Sequence, residues 1–505
     1  MTLRDHRQLS GEQTLHADVV IVGTGPGGAA IGRVLAQAGR TVIFLEEGPA
    51  TPRFRPNLAH TQRYHMQENG AVVAQSPNSF VPIAAGRGVG GGSLINSAIC
   101  WRTPDYVLED WCQRLGVDTY APRAMAPIFA ALEERLQIAE TPDRIAGENN
   151  RIIVRGARAM GLPGGLLRRN TPACNGCGLC NMGCPTGGKA SVDRNLVLDA
   201  RESGATVCGD VRVDRLLLDQ GTARGVVGTV RHPDSRDVLG TLTVRAPTVV
   251  LAAGAIGTPR LLWESGAAHG LGPAVGQGLH LHPGNAVVGL CDHEVIMWRG
   301  ATQGAWFEDP DLPGVLPHTL QAEPGVVLMM FGRTGHEAKA LMPKLPHMCG
   351  AVVMISDKGS GSVGARADGR AAVRYEFDPH DVARIKQGMV RTAEVLLAGG
   401  AREVTAPVRG MQLHRDVGAF ADNLAPTTIR DFGLYAAHPM ATCRMGTDPA
   451  TSVIRPDGRT HHAKGLYIAD SSVFPTSLGV NPQLTTMAMA TMIGHQLVGN
   501  PASIR

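Results

Sequence analysis

Residues 17–28 read ADVVIVGTGPGG, and this stretch decides the fold. Its apolar half, 17–22, is typical of a strand buried in a parallel sheet. The glycine-rich turn leads into AAIGRVLAQAG at 29–39, which predicts a helix that ends at a glycine. TVIFLEEG at 41–48 predicts a second buried strand. The order strand, turn, helix, strand starts a doubly wound α/β sheet.

The turn itself has the pattern of a dinucleotide site, because residues 23–28 match G-x-G-x-x-G between a strand and a helix. The glycines permit the tight turn and let the backbone approach a pyrophosphate, which meets the free N–H groups of the helix start. An acidic residue ends the second strand, where it can accept hydrogen bonds from ribose hydroxyls. The motif does not distinguish FAD from NAD. The predicted contacts are Gly23, Gly25, Pro26, Gly27, Gly28 and Glu46.

Composition limits the class of protein. The 505 residues are enough for two domains, and a net charge of +4 gives no reason to expect nucleic acid as a partner. No run of ~20 apolar residues predicts a transmembrane helix, and residues 1–15 carry no secretory pattern. We therefore expect a cytoplasmic protein without a transmembrane segment, unless a partner with its own signal exports it.

The middle of the chain differs in pattern from both ends. Residues 285–430 contain alternating segments joined by Gly/Asp turns such as ADGR at 367–370, which predict antiparallel strands. The tail returns to a strand and a helix within 465–500. We predict an α/β fold in which a Rossmann-like nucleotide domain is interleaved with a substrate domain built on an antiparallel sheet with helices. The predicted ranges are 14–110, 195–284 and 430–505 for the nucleotide domain, and 111–194 and 285–429 for the substrate domain.

Four further blocks resemble the signatures of the glucose–methanol–choline (GMC) oxidoreductases, in the order of that family. They are GRGVGGGSLIN at 86–96, GAIGTPRLLWESG at 254–266, HPMATCRMG at 438–446, and the pair GLYIAD at 465–470 and NPQLT at 481–485. The resemblance covers essentially the whole chain and implies FAD as the cofactor. Within the family the chain resembles a bacterial branch with a cysteine-rich loop, similar to long-chain alcohol oxidases and to the large subunits of FAD sugar dehydrogenases.

The resemblance also implies which further residues contact FAD. Some members of the family tether the flavin through a histidine at the place of Ile95, and isoleucine cannot form that bond, so we predict non-covalent FAD. The implied contacts are Arg87, Gly90, Gly91, Gly92, Ser93, Asn96, Val213, Ala253, Asp470 and Pro482.

The resemblance implies a catalytic pair, His438 and Asn481. Oxidation of an alcohol removes a proton from oxygen and a hydride from carbon; flavin N5 accepts the hydride, and a histidine suits the proton. We therefore predict His438 as the base and Asn481 as the group that orients the substrate oxygen. Ala441 departs from the family, which usually has glycine there. We interpret His282 as a loop-packing residue and 461–462 as surface histidines.

The remaining question about function is what is oxidised and where the electrons go. Apolar residues between 328 and 354 favour a hydrophobic or aromatic alcohol if some of them line the pocket. Oxygen, a quinone or a protein can be the electron acceptor. A lyase or a decarboxylase on the same fold is the alternative without net oxidation.

Four cysteines within 174–184 form a separate motif. The spacing of Cys174, Cys177, Cys180 and Cys184 is that of bacterial ferredoxins, in which the last cysteine can bind a different cluster. An iron–sulfur cluster would make the chain a dehydrogenase subunit that passes electrons to a partner. Zinc and a compact loop of buried thiols are the other interpretations.

Overall fold

The computed structural model describes residues 2–332 and 334–499. The strands are β1 Thr2–Arg4, β2 Gly11–His16, β3 Val19–Val22, β4 Val42–Leu45, β5 Val73–Gln75, β6 Phe80–Pro82, β7 Ala139–Glu140, β8 Gly164–Leu166, β9 Arg168–Arg169, β10 Thr206–Cys208, β11 Val211–Asp219, β12 Thr222–Arg231, β13 Val238–Arg245, β14 Thr248–Leu251, β15 Gln277–Leu279, β16 Gly284–Leu290, β17 Ala305–Phe307, β18 Val315–Thr319, β19 Met348–Ile355, β20 Ser360–Ala365, β21 Ala371–Glu376, β22 Glu403–Thr405 and β23 Leu466–Ile468.

The α-helices are α1 His6–Leu9, α2 Pro26–Gln37, α3 Leu58–His65, α4 Asp105–Leu115, α5 Pro122–Arg135, α6 Asp143–Ala146, α7 Glu148–Ala159, α8 Leu196–Glu202, α9 Gly254–Glu264, α10 Ala268–Leu271, α11 Pro324–Met330, α12 Gly335–Leu341, α13 Pro379–Ala398, α14 Val417–Leu424 and α15 Gln483–Val498.

The first sheet is parallel and is built from both ends and the middle of the chain. Its strand order is β1-β10-β4-β3-β14-β23, and every neighbouring pair runs parallel. β3, β4 and the last three residues of β14 are buried. α2 packs on β3 and β4, and α15 packs on α2 within the same apolar cluster. The predicted α/β fold with a Rossmann-like sheet is confirmed.

A second sheet, β11-β12-β13-β2, lies beside the first. Its first three strands are antiparallel, and β2 joins β13 in parallel. β11 is an edge strand, so one side of its backbone is not used by the sheet. An edge of this kind can pair with the polar rim of a flat ligand.

The third and fourth sheets contain most of the strands that lie in the ranges predicted for the substrate domain. The six-stranded sheet β22-β16-β19-β18-β17-β8 packs against α13, whose Asp378 cap accepts a hydrogen bond from the His380 N–H. The five-stranded sheet is β15-β20-β21-β5-β6, and the predicted turn 367–370 joins β20 to β21. β5, β6 and β15 lie within ranges predicted for the nucleotide domain but join this sheet. The predicted domain boundaries stay predictions. No helix of the described residues is long and apolar enough to cross a membrane.

We expect Gly27→Ala to destabilise the fold. A Cβ on Gly27 would overlap the carbonyl oxygen of Ala469 and lie 2.9 Å from the Cα of Asp470, and backbone atoms cannot swing aside. Overpacking of this kind typically costs about 1–3 kcal/mol. Thermal and denaturant unfolding measure the effect. Gly270→Ala is the matched control, because a Cβ there meets no heavy atom of the described residues within 4 Å; equal stability of both variants would contradict the prediction.

Candidate active site

The two glycine-rich segments lie against each other at the start of α2. A Cβ on Gly91 would come 2.6 Å from the Cα of Gly25, so the backbones touch where both residues lack side chains. Gly25 also caps α2, and no side chain of the described residues bonds to that end of the helix. Pro26 occupies the first turn, where its missing N–H costs nothing. The free N–H groups and positive end of the helix therefore suit a phosphate.

Glu46 ties these segments together. Its Oε2 accepts from the Thr24 N–H at 3.1 Å and from the Thr24 hydroxyl at 2.7 Å. Its Oε1 accepts from the N–H groups of Gly48 at 3.1 Å and Gly88 at 3.0 Å. Burial raises the pKa of the carboxyl. The carboxylate thus sits at the end of β4, where the sequence predicted a ribose contact.

The predicted flavin-edge residues are held by the start of α15. Asn96 donates from Nδ2 to Gln483 Oε1 at 2.8 Å, and its Oδ1 accepts from the Ala98 N–H at 3.1 Å. Pro482 precedes this helix. The Ser93 hydroxyl donates to the Gly90 carbonyl at 2.7 Å. Glycine at 92 leaves open space, because a Cβ there would have no heavy atom of the described residues within 4 Å.

Asp470 connects the last strand of the parallel sheet with α9. Its Oδ2 accepts from the Gly254 N–H at 2.9 Å and the Thr258 hydroxyl at 2.6 Å, and its Oδ1 accepts from the Ser472 N–H. Ala253 caps the same helix. Both carboxylate oxygens bond within the protein, so a contact from Asp470 to the cofactor stays a prediction.

Val213 and Arg87, two further predicted contacts, are buried side chains. Val213 lies on the edge strand β11. Arg87 is 8% exposed and donates to the Arg63 carbonyl, and burial lowers the pKa of its guanidinium. Ile95 is buried. The closely approaching glycines and the uncapped start of α2 fit the phosphates of a dinucleotide.

The predicted catalytic pair is brought together although 43 residues separate its members. His438 Nε2 lies 3.1 Å from Asn481 Nδ2. Burial holds the pKa of His438 well below its usual value. Its imidazole is therefore neutral at ordinary pH and able to accept a proton.

His282 lies directly beside His438, and the interpretation of His282 as a loop-packing residue stays a prediction. Its Nδ1 lies 3.4 Å from Nδ1 of His438, with the rings edge to face. Its Nε2 accepts from the Gly479 N–H at 2.9 Å. Burial lowers the pKa of His282 to about 4. A histidine directly before a proline in LHLHPGN carries no sequence signal for this contact with His438.

A buried carboxylate, Asp357, organises the loops around this pair. It accepts from the Tyr375 hydroxyl at 2.6 Å, the Ser477 hydroxyl at 2.7 Å and the Leu281 N–H at 2.9 Å. Burial alone would raise the pKa of Asp357, but these bonds and the imidazoles of His280 and His282 hold it below its usual value. The charged carboxylate therefore fixes the segment before Asn481 against the segment that carries His282.

Two of the non-glycine residues with a positive φ lie near the predicted catalytic pair. Ala441 has φ 70° and His282 has φ 49°, in the left-handed region that favours glycine. The family's usual glycine in place of Ala441 would occupy this conformation without a Cβ penalty. Strained residues persist where surrounding contacts over-determine them, which is common at functional sites.

The four cysteines of the loop line one small pocket, together with Lys189 and Thr302. All ten cysteines of the chain, each within the described residues, are free thiols. No group of three or more His, Cys, Asp or Glu side chains in the described ranges has an arrangement that could hold a metal ion. The predicted iron–sulfur cluster is not supported.

What the cysteine loop does show is a connection to the second glycine-rich segment. Lys189 is 1% exposed, and its Nζ donates to the carbonyls of Leu94 at 2.8 Å, Asn96 at 2.9 Å and Cys180 at 3.1 Å. Arg169 donates to the Cys180 sulfur at 3.2 Å. Burial would raise the pKa of the Cys180 thiol, but these two cations hold it below its usual value. The loop thus supports the segment predicted to face the flavin.

Comparisons with known proteins agree with this geometry. Two family models described as GMC oxidoreductase match residues 63–284 and 346–490. A GMC-type oxidoreductase of Mycobacterium tuberculosis is 34% identical over 497 residues, which cover 97% of this chain and 77% of that protein. A long-chain-alcohol oxidase of Arabidopsis thaliana is 27% identical over 519 residues, covering 96% of this chain and 67% of the relative.

Solved structures show the same fold. The crystal structure of pyridoxine 4-oxidase from Mesorbium loti superposes with a TM-score of 0.72 at 18% identity and covers 95% of this chain and 98% of that one. A formate oxidase superposes with a TM-score of 0.72 at 16% identity, covering 97% and 99%.

Lys189→Met tests the support beneath the second glycine-rich segment. Removal of the ammonium leaves three buried carbonyls without their donor, which we expect to cost about 1–3 kcal/mol of unfolding free energy per unsatisfied group and to loosen the dinucleotide site. Thermal unfolding and the cofactor content after gel filtration measure both effects. The exposed Lys344 carries the same substitution as a control; a Lys189→Met protein as stable and as loaded as Lys344→Met would contradict the prediction.

Proposed function

The chain belongs to the GMC oxidoreductase family, and on that premise we propose that it uses FAD to oxidise the CH–OH group of an alcohol to a carbonyl. The observation that carries the proposal is the pair of His438 Nε2 and Asn481 Nδ2, which lie 3.1 Å apart. An imidazole beside an amide can take a hydroxyl proton while the oxygen stays oriented.

The residues present fit FAD. The start of α2 with Gly25 and Gly91 would hold the pyrophosphate, Glu46 the ribose, the edge of β11 near Val213 the adenine, and Asn96 the flavin edge. When bound, the flavin supplies the acceptor for the hydride that leaves the carbinol carbon. Ile95 supports a non-covalent cofactor, because its side chain offers no atom for a covalent link.

In the proposed reaction, His438 takes the proton of the substrate hydroxyl at Nε2. Burial keeps its imidazole neutral, so the ring has a lone pair for this proton. Asn481 holds the substrate oxygen without competing for the proton. Asp357 and Gly479 keep His282 against His438 and so fix the ring that receives it.

We further propose a hydrophobic alcohol as the substrate. The long-chain-alcohol oxidase among the relatives supports this class. The methionines on which the sequence analysis based this class fall into two groups. Met348 and Met354 are buried in the core, whereas Met329 and Met342 are 67% and 56% exposed. Oxygen, a quinone and an acceptor protein remain alternatives for the electrons.

Anaerobic mixing with an alcohol panel tests the proposed reaction. Primary alcohols of increasing chain length, benzyl alcohol and glucose are added to the holoenzyme, and the loss of flavin absorbance is followed. We expect the longer alcohols and benzyl alcohol to reduce the flavin faster than glucose. His438→Asn should slow the reduction by about 10²–10⁴-fold, the usual contribution of a general base. An oxygen pulse afterwards shows whether oxygen reoxidises the flavin.

The control is His269→Asn, an exposed histidine on α10, which should reduce like the wild type. A flavin that no alcohol reduces would contradict the oxidoreductase proposal and favour the lyase or decarboxylase alternative. Reduction of His438→Asn at the wild-type rate would refute the role of His438 alone.

Acid precipitation tests the mode of FAD attachment. With isoleucine at position 95 we expect all flavin in the supernatant and a colourless pellet, measured by absorbance and mass spectrometry. A yellow pellet, or a protein mass increased by that of FAD, would contradict non-covalent binding.

A further inference from the structure

Two buried cysteines lie next to each other in the six-stranded sheet. Cys291 directly follows β16, and Cys349 is the second residue of β19. Their sulfur atoms are 3.8 Å apart, although 58 positions separate the two residues along the chain. Cys291 is 3% and Cys349 is 0% exposed. Neither cysteine belongs to the cysteine loop 174–184 or to the candidate active site, so the proposed function does not use the pair.

The register of the two strands brings the thiols together. Gly289 lies directly opposite Cys349 in the ladder of β16 and β19. Cys291 is two residues further along the chain, so its side chain lies on the same face of the sheet. A Cβ on Gly289 would lie only 2.8 Å from the Cys349 sulfur. Glycine at position 289 therefore leaves the space in which the Cys349 sulfur approaches Cys291.

The pair lies where a long segment leaves β16 and returns to β19. Residues 292–347 include β17, β18, α11 and α12. The two ends of this segment already meet through the backbone, because the Cys291 N–H donates to the His347 carbonyl at 2.9 Å. The Val295 N–H likewise donates to the Pro346 carbonyl at 2.7 Å. A bond between the two sulfurs would close the segment into a loop without a change in strand pairing.

We propose that Cys291 and Cys349 form a reversible disulfide when the enzyme meets hydrogen peroxide. A disulfide needs its sulfurs about 2.0 Å apart. Rotation of one thiol about its Cα–Cβ bond moves the sulfur far enough to close the gap. The bridge stabilises the fold, because it restricts the unfolded chain between the two cysteines. Formation of the bridge does not depend on which alcohol the enzyme oxidises.

Cys291 is the thiol that meets the oxidant first. The next residue, Asp292, has 75% of its side chain exposed, so Cys291 lies one residue from solvent. The contact with Cys349 lowers the pKa of Cys291 against the effect of burial. The same contact and burial both raise the pKa of Cys349. Cys291 therefore reaches the reactive thiolate form more easily than Cys349 does.

The oxidation proceeds in two displacements at sulfur and oxygen. The Cys291 thiolate attacks one oxygen of hydrogen peroxide, the O–O bond breaks, and Cys291 becomes a sulfenic acid while the leaving hydroxide takes a proton from solvent. The Cys349 sulfur then attacks the Cys291 sulfur, the S–O bond breaks, and a second water leaves with the Cys349 proton. The two thiols lose two electrons in all, and the peroxide is reduced to two molecules of water.

Peptide mapping of the FAD-loaded enzyme tests the proposal. The protein is treated with hydrogen peroxide, unfolded in the presence of iodoacetamide and digested without reduction. We expect the mass of the Cys291 peptide joined to the Cys349 peptide, and the two separate peptides after dithiothreitol. Alkylated thiols at both positions, a sulfinic acid at either one, or a bond from either cysteine to a different cysteine would overturn the proposal.

Cys208 and Cys443 are the controls for selectivity, because both are 0% exposed. We expect to recover them as alkylated thiols. Oxidation of these two cysteines to the same extent as Cys291 and Cys349 would mark a reaction of unfolded protein and would also overturn the proposal.

Thermal unfolding separates the bridge from general damage by peroxide. Peroxide should raise the unfolding temperature of the wild type by several degrees, because closing a loop of this length usually stabilises a fold, and dithiothreitol should reverse the rise. Cys291→Ala and Cys349→Ala cannot form the bridge, so peroxide should leave their unfolding temperatures unchanged or lower them. A wild type that peroxide does not stabilise, or an equal rise in both variants, would contradict a stabilising bridge. The mapping of the wild type does not depend on the folding of either variant.

Discussion

The contact of Gly25 with Gly91 is the constraint on which the rest of the nucleotide site depends. Backbone meets backbone there because neither residue has a Cβ. Glu46 then bonds to N–H groups on both glycine-rich segments, and Lys189 holds the far end of the second segment through the Leu94 carbonyl. A side chain at the contact would separate the start of α2 from the segment that leads to the flavin edge.

A second constraint joins the six-stranded sheet to the segment before α15. Asp357 follows β19 of the six-stranded sheet, yet its partners include Ser477, in the segment that leads to Asn481. A buried carboxylate with several donors is stable only while all of them are present. The buried charge of Asp357 therefore holds the segment before Asn481, although Asp357 lies outside the predicted catalytic pair.

Sequence reasoning succeeded where the determinants are local. Strand burial and helix starts depend on neighbouring residues. The sequence therefore predicts the buried strands β3, β4 and β14 and the turn 23–28. The position of His282 beside His438 was not predicted, because this contact joins residues 156 positions apart and the local sequence of His282 resembles ordinary packing. The cysteine spacing indicated a cluster for the same reason: spacing is local, whereas the arrangement of the thiols depends on how Lys189 and Arg169 hold the loop.

The candidate site contains backbone conformations that lower the stability of the fold. Ala441 and His282 keep left-handed backbone conformations, each of which costs of order 1–3 kcal/mol. Such conformations persist only if the surrounding structure fixes them. Here the Ala441 N–H donates to the Ser471 carbonyl, and Asp357 accepts from the Leu281 N–H directly before His282. Hydrogen bonds to residues outside the predicted catalytic pair therefore hold the strained backbone beside it.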